Sequence, residues 1–202
     1  MSGGHGTGSA EVAAAAARLV VEHGMEYGAA KRKAARDLGR RGGRAGALPG
    51  NEEVEDEVRA YIALFEAHTQ PAELRALREV ALLWMQRLSA FRPHLGGAVW
   101  RGTATRRSIV HLDLYCDDPK SAEITIINAG VDYDSGSIER PGAEPVNVLV
   151  VSSFSQTLHE AVTVQLALYD LDEQRGALKP DARGQSWRGD LAAVQRLLAE
   201  TT

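Results

Sequence analysis

The side chains most able to do chemistry lie in the stretch 98–118. Polar and apolar residues alternate in its second half, which predicts a strand with one apolar face and one face carrying His111, Asp113 and Tyr115. An imidazole and a carboxylate two residues apart on one strand face can hold a single divalent cation. The first hypothesis is therefore a metal site at Asp113 and His111; the alternative is a polar strand face lining a cleft.

The residues just before this strand predict an anion site. We expect a strand ending at Gly102, a tight turn at Gly102 and Thr103, and about one helical turn before the next strand at Val110. Backbone N–H groups at the start of a helix lack partners within the helix and attract anions. With Arg106 close by, the sequence predicts phosphate binding by Gly102, Thr103 and Arg106.

These residues resemble the core of the nucleotidyltransferase superfamily, in which a Gly-Ser or Gly-Thr turn precedes a strand with an Asp-x-Asp pair. Gly102 and Thr103 match the turn, and Asp113 matches one of the carboxylates. The resemblance implies a mixed sheet over about residues 95–172 and Mg²⁺ ions held by acids from neighbouring strands. His111 stands where an acid is expected, and Asn147 stands where a later strand would supply the third carboxylate.

The whole chain also resembles a family of uncharacterised proteobacterial proteins, some of them called nucleotidyltransferase-like. The matching stretches are residues 17–24, 28–39 and 101–105. This resemblance implies the same fold and a class of transferase, without a substrate.

Three functions follow as hypotheses. Loss of two of three metal acids predicts a degenerate nucleotidyltransferase-like protein that binds a nucleotide or other phosphate-bearing ligand without two-metal catalysis. An active Mg²⁺-dependent nucleotidyltransferase is the alternative, with Asp113 and His111 as catalytic residues and acids such as Asp132 and Asp134 nearby. The third is a module that binds nucleic acid or a protein partner.

The third hypothesis depends on a basic stretch over residues 31–44. Lysine and arginine on one helix attract phosphate groups, so the candidate nucleic-acid ligands are Lys31, Arg32, Lys33 and Arg36. Arg40, Arg41 and Arg44 continue the stretch. A solvated helix face is the alternative interpretation, as is pairing with the acids that begin at Glu52.

Apolar periodicity predicts an α+β protein with three parts: a disordered start at 1–9, a helical N-terminal part at 10–91, and a nucleotidyltransferase-like α/β part at 95–202 ending in a helix. Helices are expected over 10–23, 26–38, from 51, over 71–91, over 119–130 and after Asp190; strands are expected over 131–138, 146–152 and 162–169.

Composition bounds the cellular setting. The chain has 202 residues, a net charge of −4 and one cysteine, which excludes an internal disulfide. It shows no apolar run long enough to cross a membrane and no leader sequence, so we expect a cytoplasmic protein. No cofactor is indicated apart from Mg²⁺ if the protein is active, and the sequence does not predict an oligomeric state.

Overall fold

The computed structural model describes residues 5–39, 48–140, 142–176, 179–181 and 183–200. The chain divides into two compact units. The first comprises residues 1–71 with 103–108, and the second comprises residues 72–102 with 109–202.

The first unit is helical. Its helices are α1 (His5–His23), α2 (Tyr27–Asp37) and α3 (Asn51–Phe65). They share a core built mainly from alanine and valine, including Ala16, Ala30 and Val58. Small side chains at these positions let the helix backbones approach closely, because little volume separates them.

Residues 103–108 complete the first unit, although they follow the second unit's residues in the chain. The hydroxyls of Thr103 and Tyr27 lie 3.1 Å apart, and the Gln70 amide donates to the Ala104 carbonyl at 2.9 Å. Gly24 has a φ of 65°, and a Cβ there would collide with the carbonyl oxygen of Arg107. The sequence therefore needs glycine at this contact.

The second unit contains a five-stranded sheet in the order β1-β2-β5-β4-β3. Strands β2 and β5 are parallel, and the other pairs are antiparallel. This mixed sheet with flanking helices confirms the predicted α+β class. The elements are α4 (Gln70–Arg87), a 3₁₀ turn (Ser89–Phe91), β1 (His94–Gly96), α5 (Gly97–Arg101), β2 (Val110–Cys116), α6 (Pro119–Asn128), β3 (Tyr133–Arg140), β4 (Ala143–Ser155), β5 (Glu160–Asp170), a second 3₁₀ turn (Leu171–Gly176) and α7 (Leu191–Glu200).

Helix α4 belongs almost entirely to the second unit, whereas the sequence placed it with the N-terminal helices. Its arginines show why. Arg78 donates to the carbonyls of Val99 and Trp100 at 3.2 and 3.4 Å, and Arg75 donates to the carbonyl of Leu198 at 3.1 Å. Apolar periodicity identified the helix but not which unit its buried side packs against.

The strand expected to end at Gly102 is replaced by β1 and the short helix α5. Gly97 takes a φ of 63°, which ends the strand after Gly96. Gly102 takes a φ of 79° and its N–H bonds to the carbonyl of Ala98, so it closes α5 as a left-handed cap. A short apolar run between two glycines is compatible with a strand or a helix, and here the backbone conformations of Gly97 and Gly102 favour the helix.

The first helix begins earlier than the sequence predicts. Helix α1 begins at His5, so residues 5–9, assigned by sequence to a disordered start, are helical, and residues 1–4 lie outside the described residues. Among the described residues no helix is both long and apolar enough to span a membrane.

Candidate functional site: the face of the sheet around Asp113

Asp113 lies at the centre of one face of the sheet, as the alternation of β2 predicts. On the neighbouring strands its register partners are His94 of β1 and Ala167 of β5. The residue is 8% exposed. The predicted open cleft is therefore wrong at this position, because other residues cover the face.

Arg188 covers it. Its Nε donates to Oδ2 of Asp113, and the two side chains form an ion pair. Arg188 belongs to the segment before α7, which we call the C-terminal strap and define as the described residues 179–181 and 183–190. No pattern in the sequence places this segment over Asp113.

Three further contacts fix the strap to β1 and α5. The backbones of Leu95 and Gly189 exchange hydrogen bonds of 2.8 and 2.9 Å. The indole of Trp100 donates to the Ser186 carbonyl at 2.8 Å. Arg101 forms a buried ion pair with Asp181 at 3.1 Å, and its guanidinium lies 4.4 Å from the ring centre of Trp187. The strap thus has a defined position over the sheet.

Burial dominates the electrostatics of Asp113. It raises the pKa of this carboxyl above its ordinary value, since a low-dielectric surrounding disfavours the charged form. Arg188 opposes the rise, and His111 and His94 oppose it more weakly. Arg188 is therefore the group that compensates the buried carboxylate.

Aromatic rings extend the same face beside the ion pair. The rings of His94 and Tyr115 meet edge to face at 5.2 Å, and Tyr115 stacks on Tyr169 at 5.6 Å. Nδ1 of His94 lies 2.8 Å from the carbonyl of Arg92. Burial is the main cause that raises the pKa of both tyrosines, so their phenols stay protonated at neutral pH.

The arrangement does not fit a Mg²⁺ centre. His111 shares the face of Asp113 and packs against Gly97, where a Cβ would lie 3.1 Å from its Cδ2. Among the residues that the structure describes, no group of three or more His, Cys, Asp or Glu is placed to hold a metal ion. An oxygen of Asp113 is already engaged by a guanidinium, whereas Mg²⁺ prefers several converging oxygens.

The other candidate acids lie elsewhere. Asn147 pairs with Leu168 and is exposed on the opposite face of the sheet, so it does not take the place of a third ligand. Asp134 is on the face of Asp113, but its strand β3 lies three strands from β2, about 14 Å at the usual strand spacing. Asp132 directly precedes β3 and is exposed.

The Gly102–Thr103 turn differs from its predicted geometry. The short helix precedes the turn instead of following it, so the turn lies at a helix C-terminus, where carbonyls and not N–H groups point outward. Thr103 is 1% exposed and its hydroxyl contacts Tyr27, while Arg106 is exposed. The amide of Thr105 already donates to Ser108 Oγ at 3.1 Å, so it is not available to donate to an anion.

The four basic candidates of α2 separate into two pairs. Lys31 donates to the Pro49 carbonyl and to Asn51, and Lys33 pairs with Asp37 at 2.9 Å. Arg32 and Arg36 are exposed one helical turn apart. Arg40, Arg41 and Arg44 lie outside the described residues.

Comparisons with known proteins add a likeness in fold. No family profile matches the chain, and no curated protein matches it in sequence. A structure of Cid1 in complex with the UTP analogue UMPNPP matches 56% of this chain and 36% of its own, at 12% identity and a TM-score of 0.35.

A crystal structure of the Cid1 poly(U) polymerase with MgGTP matches 56% of this chain and 38% of its own, at 12% identity and a TM-score of 0.34. A third, from a study of the RNA terminal uridylyl transferase activity of Cid1, matches at 13% identity with the same TM-score. The chain spans little more than a third of the length of these Cid1 chains. At such scores the likeness assigns neither an activity nor a site.

Proposed function

We propose that this protein is nucleotidyltransferase-like and binds a nucleotide or another phosphate-bearing ligand through the segment that carries Gly102, Thr103 and Arg106, without two-metal catalysis. The observation that carries the proposal is the ion pair between Asp113 and Arg188. The Arg188 guanidinium pairs with the Asp113 carboxylate, which the resemblance to nucleotidyltransferases assigns to a metal ion. The Asp113 site therefore already has its counter-charge and needs no divalent cation.

Arg106 is the side chain best suited to meet the ligand. It is exposed, lies three residues after Thr103, and carries a planar group that can bond two phosphate oxygens. Gly102 and Thr103 would act by shaping the backbone before it. The Thr103 hydroxyl is engaged with Tyr27, so its part in binding is indirect.

A variant series measured by isothermal titration with a nucleoside triphosphate tests this assignment. Arg106→Ala should weaken binding roughly tenfold or more, since a hydrogen bond to a charged group contributes about 1.5–3 kcal/mol. Asp113→Asn should change the affinity little. Arg196→Ala, which removes an exposed arginine of α7, is the control for lost positive charge.

Thr103→Val needs a control of its own because it also breaks the contact with Tyr27. Tyr27→Phe removes that contact and leaves the Thr103 hydroxyl in place. Equal losses in the two variants would show that Thr103 acts through its packing. A greater loss in Asp113→Asn than in Arg106→Ala would overturn the proposal in favour of metal catalysis.

Arg32 and Arg36 support a second candidate function, nucleic-acid binding through α2. Within the described part of the chain neither forms an ion pair, and their spacing puts them on one exposed face. If both contact phosphates, removing the pair should lower the slope of log affinity against log salt by about 2. Filter binding with generic RNA and DNA measures this, with Lys120→Ala plus Arg196→Ala as the control. Absence of retention at low salt would rule the function out.

A further inference from the structure

The two edges of the sheet are treated differently. Edge strand β1 has only three residues, and its outer side pairs with Gly189 of the C-terminal strap. Edge strand β3 has eight residues, and in the described part of the chain it pairs only with β4. Exposed edges present unpaired N–H and C=O groups, and proteins usually shorten, cover or charge them. One edge is thus closed and the other is left open.

The open edge is long and accessible. Strands are commonly about five or six residues long, so eight residues is a long edge. All residues from 134 to 139 are exposed, and a Cβ at Gly136 would meet nothing within 4 Å. Among the residues that the structure describes, no strand pairs with the outer side of β3, so a further strand could add there.

The charges along β3 favour antiparallel pairing of two copies of this strand. Asp132 and Asp134 lie at its start, and Arg140 lies at its end. In an antiparallel pair of two β3 strands centred on Gly136, Arg140 would face Asp132 of the other copy. Centred on Ser137, it would face Asp134. A parallel pair would instead oppose each charge to its own copy, which is unfavourable.

The remaining charges agree with this arrangement. In the described residues neither Asp132 nor Asp134 has an ion-pair partner, so both exposed acids are available to pair with a cation of a second copy. Arg140 bonds Glu173 at 2.5 Å and the Glu144 carbonyl at 3.0 Å, and its guanidinium has further donors to offer. Glu139 would face Tyr133 or Ser135 in the two alignments, and not another acid.

We propose that β3 is a homodimer interface, at which two copies of this chain join their β3 strands antiparallel about a two-fold axis. The pairing is isologous, so each Asp–Arg contact occurs twice. It would form one continuous sheet with five strands from each copy. The occupant is a second copy because the strand's own charges supply both halves of each contact.

Sedimentation of the full chain over a concentration series tests the proposal. Wild type should form a dimer that weakens with added salt. Asp132→Arg combined with Asp134→Arg should be monomeric at the same concentration, as should Arg140→Asp, because each places like charges opposite each other. Glu200→Arg, an exposed acid at the end of α7, is the matched control and should remain dimeric.

Mixing the two monomeric proteins gives the decisive result. A heterodimer of the double-arginine variant with Arg140→Asp has opposite charges at both ends, so the mixture should recover the dimer. If Arg140→Asp fails to fold, the double-arginine variant alone still tests the interface against Glu200→Arg. A wild type that is monomeric throughout, or a dimer that these changes leave intact, would overturn the proposal.

Discussion

At the scale of single residues, the protein's chemistry centres on a buried carboxylate paired with an arginine 75 positions later in the chain. A carboxylate in a buried site needs a compensating cation, because desolvation of an unpaired charge is costly. Here that cation is the side chain of Arg188.

Replacing Arg188 tests that statement directly. Arg188→Gln shortens the side chain, keeps an amide donor at about the position of Nε and removes the charge, so the pKa of Asp113 should rise above its wild-type value. The reason is that burial raises this pKa and Arg188 is the largest opposing influence. NMR titration of the Asp113 carboxyl carbon measures the change, and Arg196→Gln is the control. An unchanged or lower pKa would show that Arg188 is not the counter-charge.

The same variant should alter the pH dependence of stability. The ordinary pKa of the carboxyl is 3.8 and its folded value is higher, so the folded chain holds a proton that the unfolded chain has lost between those values. The free energy of unfolding therefore falls as the pH rises through this interval. In Arg188→Gln the interval widens, and the fall should continue to a higher pH.

Sequence reasoning found half of this site. Alternation along β2 correctly put His111, Asp113 and Tyr115 on one face, because strand periodicity is a local property. Arg188 and His94 were missed, because their positions depend on which distant segments pack on that face. A usable signal was present, however, since an acid inside an otherwise buried strand requires a partner.

At the scale of elements, the C-terminal strap determines whether the face around Asp113 is open or covered. It passes close to Trp100 at Gly189, where an added Cβ would collide with Cζ3 of the Trp100 ring. A side chain at this position has no space, because the ring is held by its bond to the Ser186 carbonyl. The strap is thus fixed by shape as well as by the ion pairs of Arg101 and Arg188.

Gly189→Ala should accordingly destabilise the protein by roughly 1–3 kcal/mol, as overpacking in a tight site does. Gly176→Ala is the matched control, because a Cβ there would meet nothing within 4 Å. Chemical denaturation of both variants measures the difference. Equal free energies of unfolding of Gly189→Ala and Gly176→Ala would show that the strap can shift at little cost and is not held tightly over the sheet.

Most helices and strands were predictable from the sequence, and the one wrong assignment described here has a local cause. Helix α6 begins at residue 119 as predicted, because Asp118 caps it by accepting a hydrogen bond from the Lys120 amide at 3.0 Å. The same holds for Asp190, which caps α7 through the amide of Ala193 at 2.8 Å. Helix α5 was wrongly predicted as a strand, because only the positive φ of Gly97 and Gly102 separates the two.

At the scale of the whole molecule, two units share one chain that passes between them at residues 71–72, 102–103 and 108–109. The segment 103–108 illustrates why a boundary near residue 91 was predicted instead. Its threonines bond to Tyr27 and to the carbonyl of Val21. Contacts so distant in sequence leave no periodic signal, whereas the apolar stripe of each helix does.

The protein as a whole should bind a nucleoside triphosphate without the help of a divalent cation. Because Asp113 already has Arg188 as its counter-charge, a nucleoside triphosphate should contact basic side chains directly and should not need a metal to bridge it to acids. A protein that depends on Mg²⁺ would behave in the opposite way, since its carboxylates repel the free triphosphate.

Isothermal titration of the wild-type protein with a nucleoside triphosphate, once in EDTA and once in Mg²⁺, tests this claim most directly. We expect binding in both buffers, with Kd values that differ by less than about tenfold, or roughly 1.4 kcal/mol. Binding that appears only with Mg²⁺ and disappears in Asp113→Asn, or no binding in either buffer, would contradict it.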